Sequence, residues 1–173
     1  MNEDHSRLAI IALGSNLGDS AALIEQAVEA LEKFSDRPAL RSSLWKSEPV
    51  DCPPGSPDFL NAVMAIRPCP TDTPENLLGK MQAIERRLGR GPKQTDNEPR
   101  PIDLDLIAFG NHRVANEYLT LPHPRAHLRR FVLGPLAEIL PGFVAPGWDE
   151  SASCLLAGQA TNPKAASEIS QRV

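Results

Sequence analysis

The 173-residue chain has few cysteines, and Cys52, Cys69 and Cys154 are odd in number, widely spaced and never in a C-x-x-C pair. Neither a disulfide framework nor a zinc site is indicated, and reduced, buried thiols are expected. It lacks a long hydrophobic run. Leu8–Leu13 is the apolar stretch nearest the N-terminus, too short for a signal sequence core or a membrane span, so a cytoplasmic protein without a membrane partner is expected. It also lacks a basic excess: 18 Lys and Arg against 22 Asp and Glu leave a net charge of −4. Non-specific nucleic-acid binding is therefore a poor candidate for the main activity. There is no G-x-x-x-x-G-K-[ST] motif, no internal repeat and no low-complexity tract, which removes a Walker-type kinase and a solenoid.

What is abundant is proline, at 17 residues, which predicts long, stiff loops of the kind that carry sites. The length suits one domain, expected over residues 1–160, with 161–173 as a loose tail. Leu8–Leu13, ended by Gly14, reads as a buried strand. Leu23, Ile24, Ala27, Val28, Leu31 and Phe34 recur at helical spacing and predict a helix over 20–34. Two further strands are predicted over 40–47 and 59–67, separated by the proline-rich loop 48–57. Thr73, Pro74, the stripe Leu77, Met81, Ile84, Leu88, and Gly89 mark a second helix from cap to terminator. A fourth strand is predicted over 102–109 and a short helix over 133–140. The order is that of an α+β, ferredoxin-like βαββαβ core, a four-stranded antiparallel sheet with helices on one face, plus a C-terminal extension.

The most informative stretch is Arg100-Pro101-Ile102-Asp103-Leu104-Asp105-Leu106. Strand alternation sends Ile102, Leu104 and Leu106 to one face and Asp103 and Asp105 to the other, about 7 Å apart along the backbone. Two carboxylates that close repel unless positive charge lies between them, and hard oxygens with an incomplete shell suit magnesium carrying phosphate. A plain amphipathic strand with its polar face in water explains the same pattern. Arg90 and Arg100, bracketing the polar loop 91–99, tilt the balance, because arginine stays charged and grips two phosphate oxygens at once. A third cluster runs from Leu121 to Phe131 and holds His123 between two prolines, followed by Arg125, His127, Arg129 and Arg130.

Gly14-Ser15-Asn16-Leu17-Gly18-Asp19, Pro57-Asp58-Phe59-Leu60-Asn61-Ala62, Gln82-x-x-Glu85 with Leu88-Gly89-Arg90, the carboxylate motif, and Leu121-Pro122-His123-Pro124 through Leu133 follow one another along the chain. Together they resemble the successive motifs of the 6-hydroxymethyl-7,8-dihydropterin pyrophosphokinase family. The resemblance implies transfer of diphosphate from ATP to the pterin hydroxymethyl group, with AMP released, in folate biosynthesis. It implies two magnesium ions on Asp103 and Asp105, with Asp103 also orienting the attacking oxygen, and Arg90 and Arg100 as lid arginines on the triphosphate. Gln82, Glu85, Thr120, His123 and Arg129 match positions near the nucleotide. For the pterin it implies Phe59 and Phe131 as stacking faces, Asn61 as reader of the ring edge, and Gly14, Asn16, Ser47, Glu48 and Val50 around the same pocket. Small-molecule pterin and ATP are the expected partners, and a monomer the expected state.

The chain departs from the family in its lid. Asn97 stands where a tryptophan is frequent and Glu98 where glycine is usual; Pro92 and Asp96 occupy positions that are commonly basic, and Asp51 replaces a common glycine. A nucleotidyltransferase also combines a Gly-Ser turn with D-x-D, but on neighbouring elements, whereas Gly14-Ser15 and Asp103 lie most of a domain apart. A non-catalytic ferredoxin-like binding module explains the fold and leaves the carboxylates and arginines without a purpose.

Overall fold

A computed structural model of the chain describes residues 5–92, 94–160 and 170–173. Strand β1, Ala9–Ser15, leads through Gly18 into helix α1, Ser20–Glu32, which Asp19 caps by accepting a hydrogen bond from the Ala22 amide at 3.1 Å. The predicted strand over 40–47 is two short pieces, β2 (Leu40–Arg41) and β3 (Trp45–Ser47). Serine chemistry breaks it: the Ser42 hydroxyl accepts from the Val63 amide, while the Ser43 amide and hydroxyl both donate to Glu138. Side-chain partners there replace the regular ladder. Strand β4, Phe59–Ile66, and helix α2, Pro74–Arg87, follow. Thr73 caps α2, and Gly89 leaves it at φ 95°, as the spacing of those residues predicts.

Strand β5, Asp103–Phe109, completes the centre, and β6 (Val114–Ala115) pairs with β7 (Thr120–Leu121) as a separate ribbon. Helix α3 covers Arg130–Ile139, starting three residues before the expected 133, and α4, Ala152–Ala160, was not anticipated. The last strand, β8, is Ser170–Arg172. The tail expected after Ala160 thus ends in a strand paired with β3, Trp45 opposite Arg172; residues 161–169 lie outside the described residues.

The architecture is α+β with an antiparallel sheet and four helices. Strand order is β5-β1-β4-β3-β8, with β2 alongside β4. The sheet is therefore wider than the four strands expected, and helices cover both faces rather than one. On one face Ile11, Leu13, Met64, Leu104 and Leu106 pack under α1 and α2, through residues such as Leu31, Leu77 and Met81. On the other, Ile10, Val63, Ala65 and Ile107 pack under Val132, Leu133 and Leu136 of α3 and Phe143 beyond it. The unbroken apolar run of β1 suits burial on both sides. Gly134 of α3 lets the Trp45 ring lie against the helix, because a β-carbon there would fall 2.6 Å from that ring. No described helix is long and apolar enough to cross a membrane.

Candidate active site

The site sits where the second core ends. Asp103 and Asp105 alternate with Leu104 and Leu106 and so project on the face that Ile107 shares with α3. That face is roofed by protein near the carboxylates, not open to water as a simple amphipathic strand would have it. In the register, Asp105 lies opposite Ala12, Asp103 opposite Gly14, and Gly14 opposite Asn61. Small residues on β1 leave a trough between the carboxylates of β5 and the amide of β4. The trough is part of a cavity of about 210 Å³ lined by Ala12, Leu13, Gly14, Ser47, Glu48, Val50, Asp51, Cys52, Phe59, Asn61, Asn97, Arg100, Asp103, Asp105, Arg125, Leu128, Arg129 and Phe131.

Charges in the trough are paired in a chain. Arg90 Nη1 donates to both Glu85 Oε1 and Asp103 Oδ1, and Arg100 Nη1 lies 3.2 Å from Asp103 Oδ2. Glu85 Oε1 also accepts from the Leu104 amide at 2.7 Å, so this buried carboxylate of α2 fixes the β5 backbone between the two aspartates. Burial pushes the Glu85 carboxyl up, opposed by the Leu104 amide and then by Arg90. Asp105 is pushed up to about 6, first by loss of water and then by the neighbouring Asp103 charge. Asp103 is near enough for its charge to act on Asp105, while the contacts from Arg90 and Arg100 both fall on Asp103. The oxygens of Asp103 and Asp105 are of the hard type that magnesium takes when it also keeps water or phosphate.

The aromatic and amide groups stand opposite. The Arg100 guanidinium lies 5.8 Å from the Phe59 ring centre, and that of Arg129 5.4 Å from Phe131, so each cation is stacked on a ring beside the trough. The Asn61 amide group donates to Ser47 Oγ at 2.8 Å and to the Trp45 carbonyl at 3.3 Å. Its orientation is fixed by those two acceptors, leaving the carbonyl oxygen toward Gly14, where an added β-carbon would lie 3.5 Å from it. The His123 amide donates to the Ile107 carbonyl at 2.8 Å, and its ring Nδ1 accepts from the Arg125 amide at 3.2 Å. Burial, with Arg129 and Arg125 nearby, lowers its pKa to about 4, so the ring is neutral at pH 7 with its proton on Nε2.

Of the residues picked out from sequence, Gly14, Ser47, Glu48, Val50, Phe59, Asn61, Arg100, Asp103, Asp105, Arg129 and Phe131 meet in this one cavity. Arg90 lines a second cavity of about 370 Å³, which Arg100 shares with the first and to which Leu17, Pro92, Thr95 and Asn97 contribute. Asn16, Gln82, Glu85, Thr120 and His123 line neither. Asn16 is buried and acts as a brace, accepting from the Arg100 amide at 2.9 Å and donating to the Pro57 carbonyl at 3.2 Å. Gln82 and Thr120 are exposed. The sequence reading gave no site role to Ala12, Leu13, Cys52 and Leu128, and it named Arg125, Asp51 and Asn97 only as part of a basic cluster or as departures from the family. For Asp51 and Cys52 the signal was present, since both follow Val50 in the proline-rich loop.

The pattern of the family described as 7,8-dihydro-6-hydroxymethylpterin-pyrophosphokinase matches residues 10–141. The chain belongs to this family. Relatives that carry the pyrophosphokinase name include one from Haemophilus influenzae, 39% identical over 140 residues covering 80% of this chain and 84% of that protein. One from Bacillus subtilis is 38% identical over 135 residues, 78% of each. The match to the Arabidopsis thaliana folate synthesis bifunctional protein, 36% identical over 131 residues, covers 76% of this chain but only 26% of that protein. Among solved structures, a Plasmodium falciparum HPPK-DHPS triple mutant with SDX-DHP superposes with a TM-score of 0.71 at 14% identity, over 95% of this chain and 47% of that one. The likeness is one of fold, and the chain spans about half the length of that structure. The pyrophosphokinase family match covers every element from β1 to α3 and so includes the whole trough.

Proposed function

We propose that the chain transfers the terminal diphosphate of ATP to the hydroxymethyl oxygen of 6-hydroxymethyl-7,8-dihydropterin, releasing AMP, as a step of folate synthesis. The observation that carries this reading is the convergence of Asp103, Asp105, Arg100 and Arg129 with Phe59, Phe131 and Asn61 on one cavity. A phosphate-binding half and a flat-ring-binding half share one trough. The pterin ring lies against Phe59 and Phe131, with the Asn61 amide on its edge, bordered by Gly14, Ser47, Glu48 and Val50. ATP approaches from the side of Arg90, Arg100 and Arg129, near Gln82, Thr120 and His123. Asn16 and Glu85 act on this site through the backbone they hold.

The pterin oxygen attacks the β-phosphorus in line, the bond from that phosphorus to the α,β-bridging oxygen breaks, and AMP leaves. The chain's part is to position and to spread charge: Arg100 and Arg129 face the phosphate oxygens and Asp103 orients the attacking hydroxyl. Asp103 and Asp105 would hold two magnesium ions, which supply further neutralisation of the phosphate oxygens. No covalent intermediate is needed. We further read β5-β1-β4-β3 with α1 and α2 as a ferredoxin-like core within one domain of residues 1–160, working as a monomer in the cytoplasm.

The test is product identity. Purified protein with ATP, magnesium and the pterin alcohol is expected to yield AMP and the pterin diphosphate. ADP as product would mean simple phosphoryl transfer, and no turnover would favour a binding module. Asp103→Ala and Asp105→Ala are each expected to lower kcat by about 10²-fold or more while the far-ultraviolet spectrum is kept; a loss under about tenfold would count against cation ligation.

A further inference from the structure

The C-terminal strand β8 lies beyond the residues 10–141 that match the family, yet it is built onto the wall of the ring-binding half. Strand β3 is three residues long, with β4 on its inner side and β8 on its outer side. β8 runs antiparallel to it, Trp45 opposite Arg172, Lys46 opposite Gln171 and Ser47 opposite Ser170. The Val173 amide extends the pairing by donating to the Leu44 carbonyl at 2.9 Å. Amides two apart on a strand point the same way, so the Gln171 amide also faces β3. Arg172 Nη2 lies 3.6 Å from Glu138 Oε1, on the carboxylate that also accepts from the Ser43 amide and hydroxyl and the Trp45 indole. That ion pair is open to water on the Arg172 side and contributes little, so the backbone ladder is the main tie.

What β3 carries on its inner side gives this tie a role. Two acceptors aim the Asn61 side-chain amide, the Trp45 carbonyl and Ser47 Oγ, and both belong to β3. Ser47 also lines the cavity, followed along the chain by Glu48 and Val50. Through Trp45, β3 is fastened to α3, the helix that presents Phe131. Paired with β4 alone, β3 would be a three-residue edge strand, the kind of element that opens locally at little cost. We propose that residues 170–173 are a positioning element for the pterin pocket: the pairing of β8 with β3 fixes the Trp45 carbonyl and the Ser47 hydroxyl, and through them the Asn61 amide that reads the ring edge. β8 acts through β3 and not on the reacting atoms. The inference rests on the pyrophosphokinase reading for the identity of the ring.

Backbone pairing can be removed without shortening the chain. Gln171→Pro deletes an amide hydrogen from the ladder, Gln171→Val keeps it in a strand-forming residue, and deletion of residues 170–173 removes the strand. In Gln171→Pro and in the deletion, the Kd and KM of the pterin alcohol are expected to rise about 2- to 12-fold, the worth of one hydrogen bond from Asn61 to the ring. The kcat and the Kd of a non-hydrolysable ATP analogue are expected to stay within about twofold. Gln171→Val and Arg172→Ala are expected to bind the pterin alcohol within about twofold of wild type. By NMR, the Asn61 side-chain amide signals are expected to move in Gln171→Pro and to stay in place in Gln171→Val. A fall in Tm with the pterin Kd changed less than about twofold, nucleotide binding weakened as much as pterin binding, or unmoved Asn61 signals in Gln171→Pro would overturn the proposal. Wild-type protein that binds no pterin would instead overturn the pyrophosphokinase reading, and the Asn61 signals would then decide the positioning role alone.

Discussion

Asp103 and Asn61 occupy one row across the sheet, separated by Gly14 alone, which pairs with both. Two strand spacings, roughly 10 Å, separate the carboxylate from the amide. Gly14 leaves that span clear. A β-carbon at Gly14 would meet Asn61 Oδ1 at 3.5 Å and Phe59 at 3.7 Å, ordinary contacts that the fold tolerates. Gly14→Ala is therefore expected to fold with a Tm within a few degrees of wild type, yet to weaken pterin binding, as read by titration calorimetry.

Glu85 offers a way to separate support from contact. It is buried, its Oε1 serves both the Leu104 amide and Arg90, and it lines neither cavity. Glu85→Ala is expected to leave the Leu104 amide unpaired and lower stability by about 1–3 kcal/mol in urea unfolding. Glu85→Gln retains an acceptor and is expected to recover most of that loss. Should Glu85 instead touch nucleotide, both variants would raise the ATP KM alike.

Gly134 and Trp45 give a packing test. A β-carbon at Gly134 would come within 2.6 to 2.9 Å of three ring atoms of Trp45. Gly134→Ala is expected to destabilise by about 1–3 kcal/mol through overpacking. Trp45→Leu in the same chain is expected to reduce the penalty, a coupling that a double-mutant cycle measures.

His123 sets a pH dependence. Burial and two arginines lower its pKa to about 4, against about 6.5 in the unfolded chain, so folding favours the neutral ring. Its contribution to stability is present above pH 6.5 and lost as pH falls toward 4. The His123 ring proton is expected to show no titration by NMR between pH 5.5 and 8. His123→Gln is expected to flatten the fall in Tm over pH 6.5 to 4.

The helix signals were legible in the sequence because they are local. Thr73, Pro74 and Gly89 delimit α2 by cap and terminator chemistry, and Asp103-Leu104-Asp105-Leu106 announces its two faces by alternation alone. The extra strand, α4, and the placing of the expected helix α3 on the second face of the sheet were not legible. β8 pairs with β3 from more than a hundred residues away, and α4 combines alanine, glycine and leucine on all sides with a single buried residue, Ala152, so no stripe marks it. The break between β2 and β3 depends on Glu138, a helix residue that the sequence does not place beside Ser43.

Residue type and spacing by themselves singled out candidate groups, a pair of carboxylates one residue apart and arginines around a polar loop, while Phe59, Phe131 and Asn61 were singled out by the order of motifs along the chain. Side-chain functional groups and strand period are properties of the chain, so they are readable from it. Only the tertiary structure decided that Asn16 and Glu85 brace backbone, that Asn97 reaches Asp51, and that Arg125, Leu128, Arg129 and Phe131 line one cavity with Asp103 and Asp105. Those relations join segments far apart in sequence, and which pairs meet is fixed by sheet order and helix packing, which no local pattern encodes.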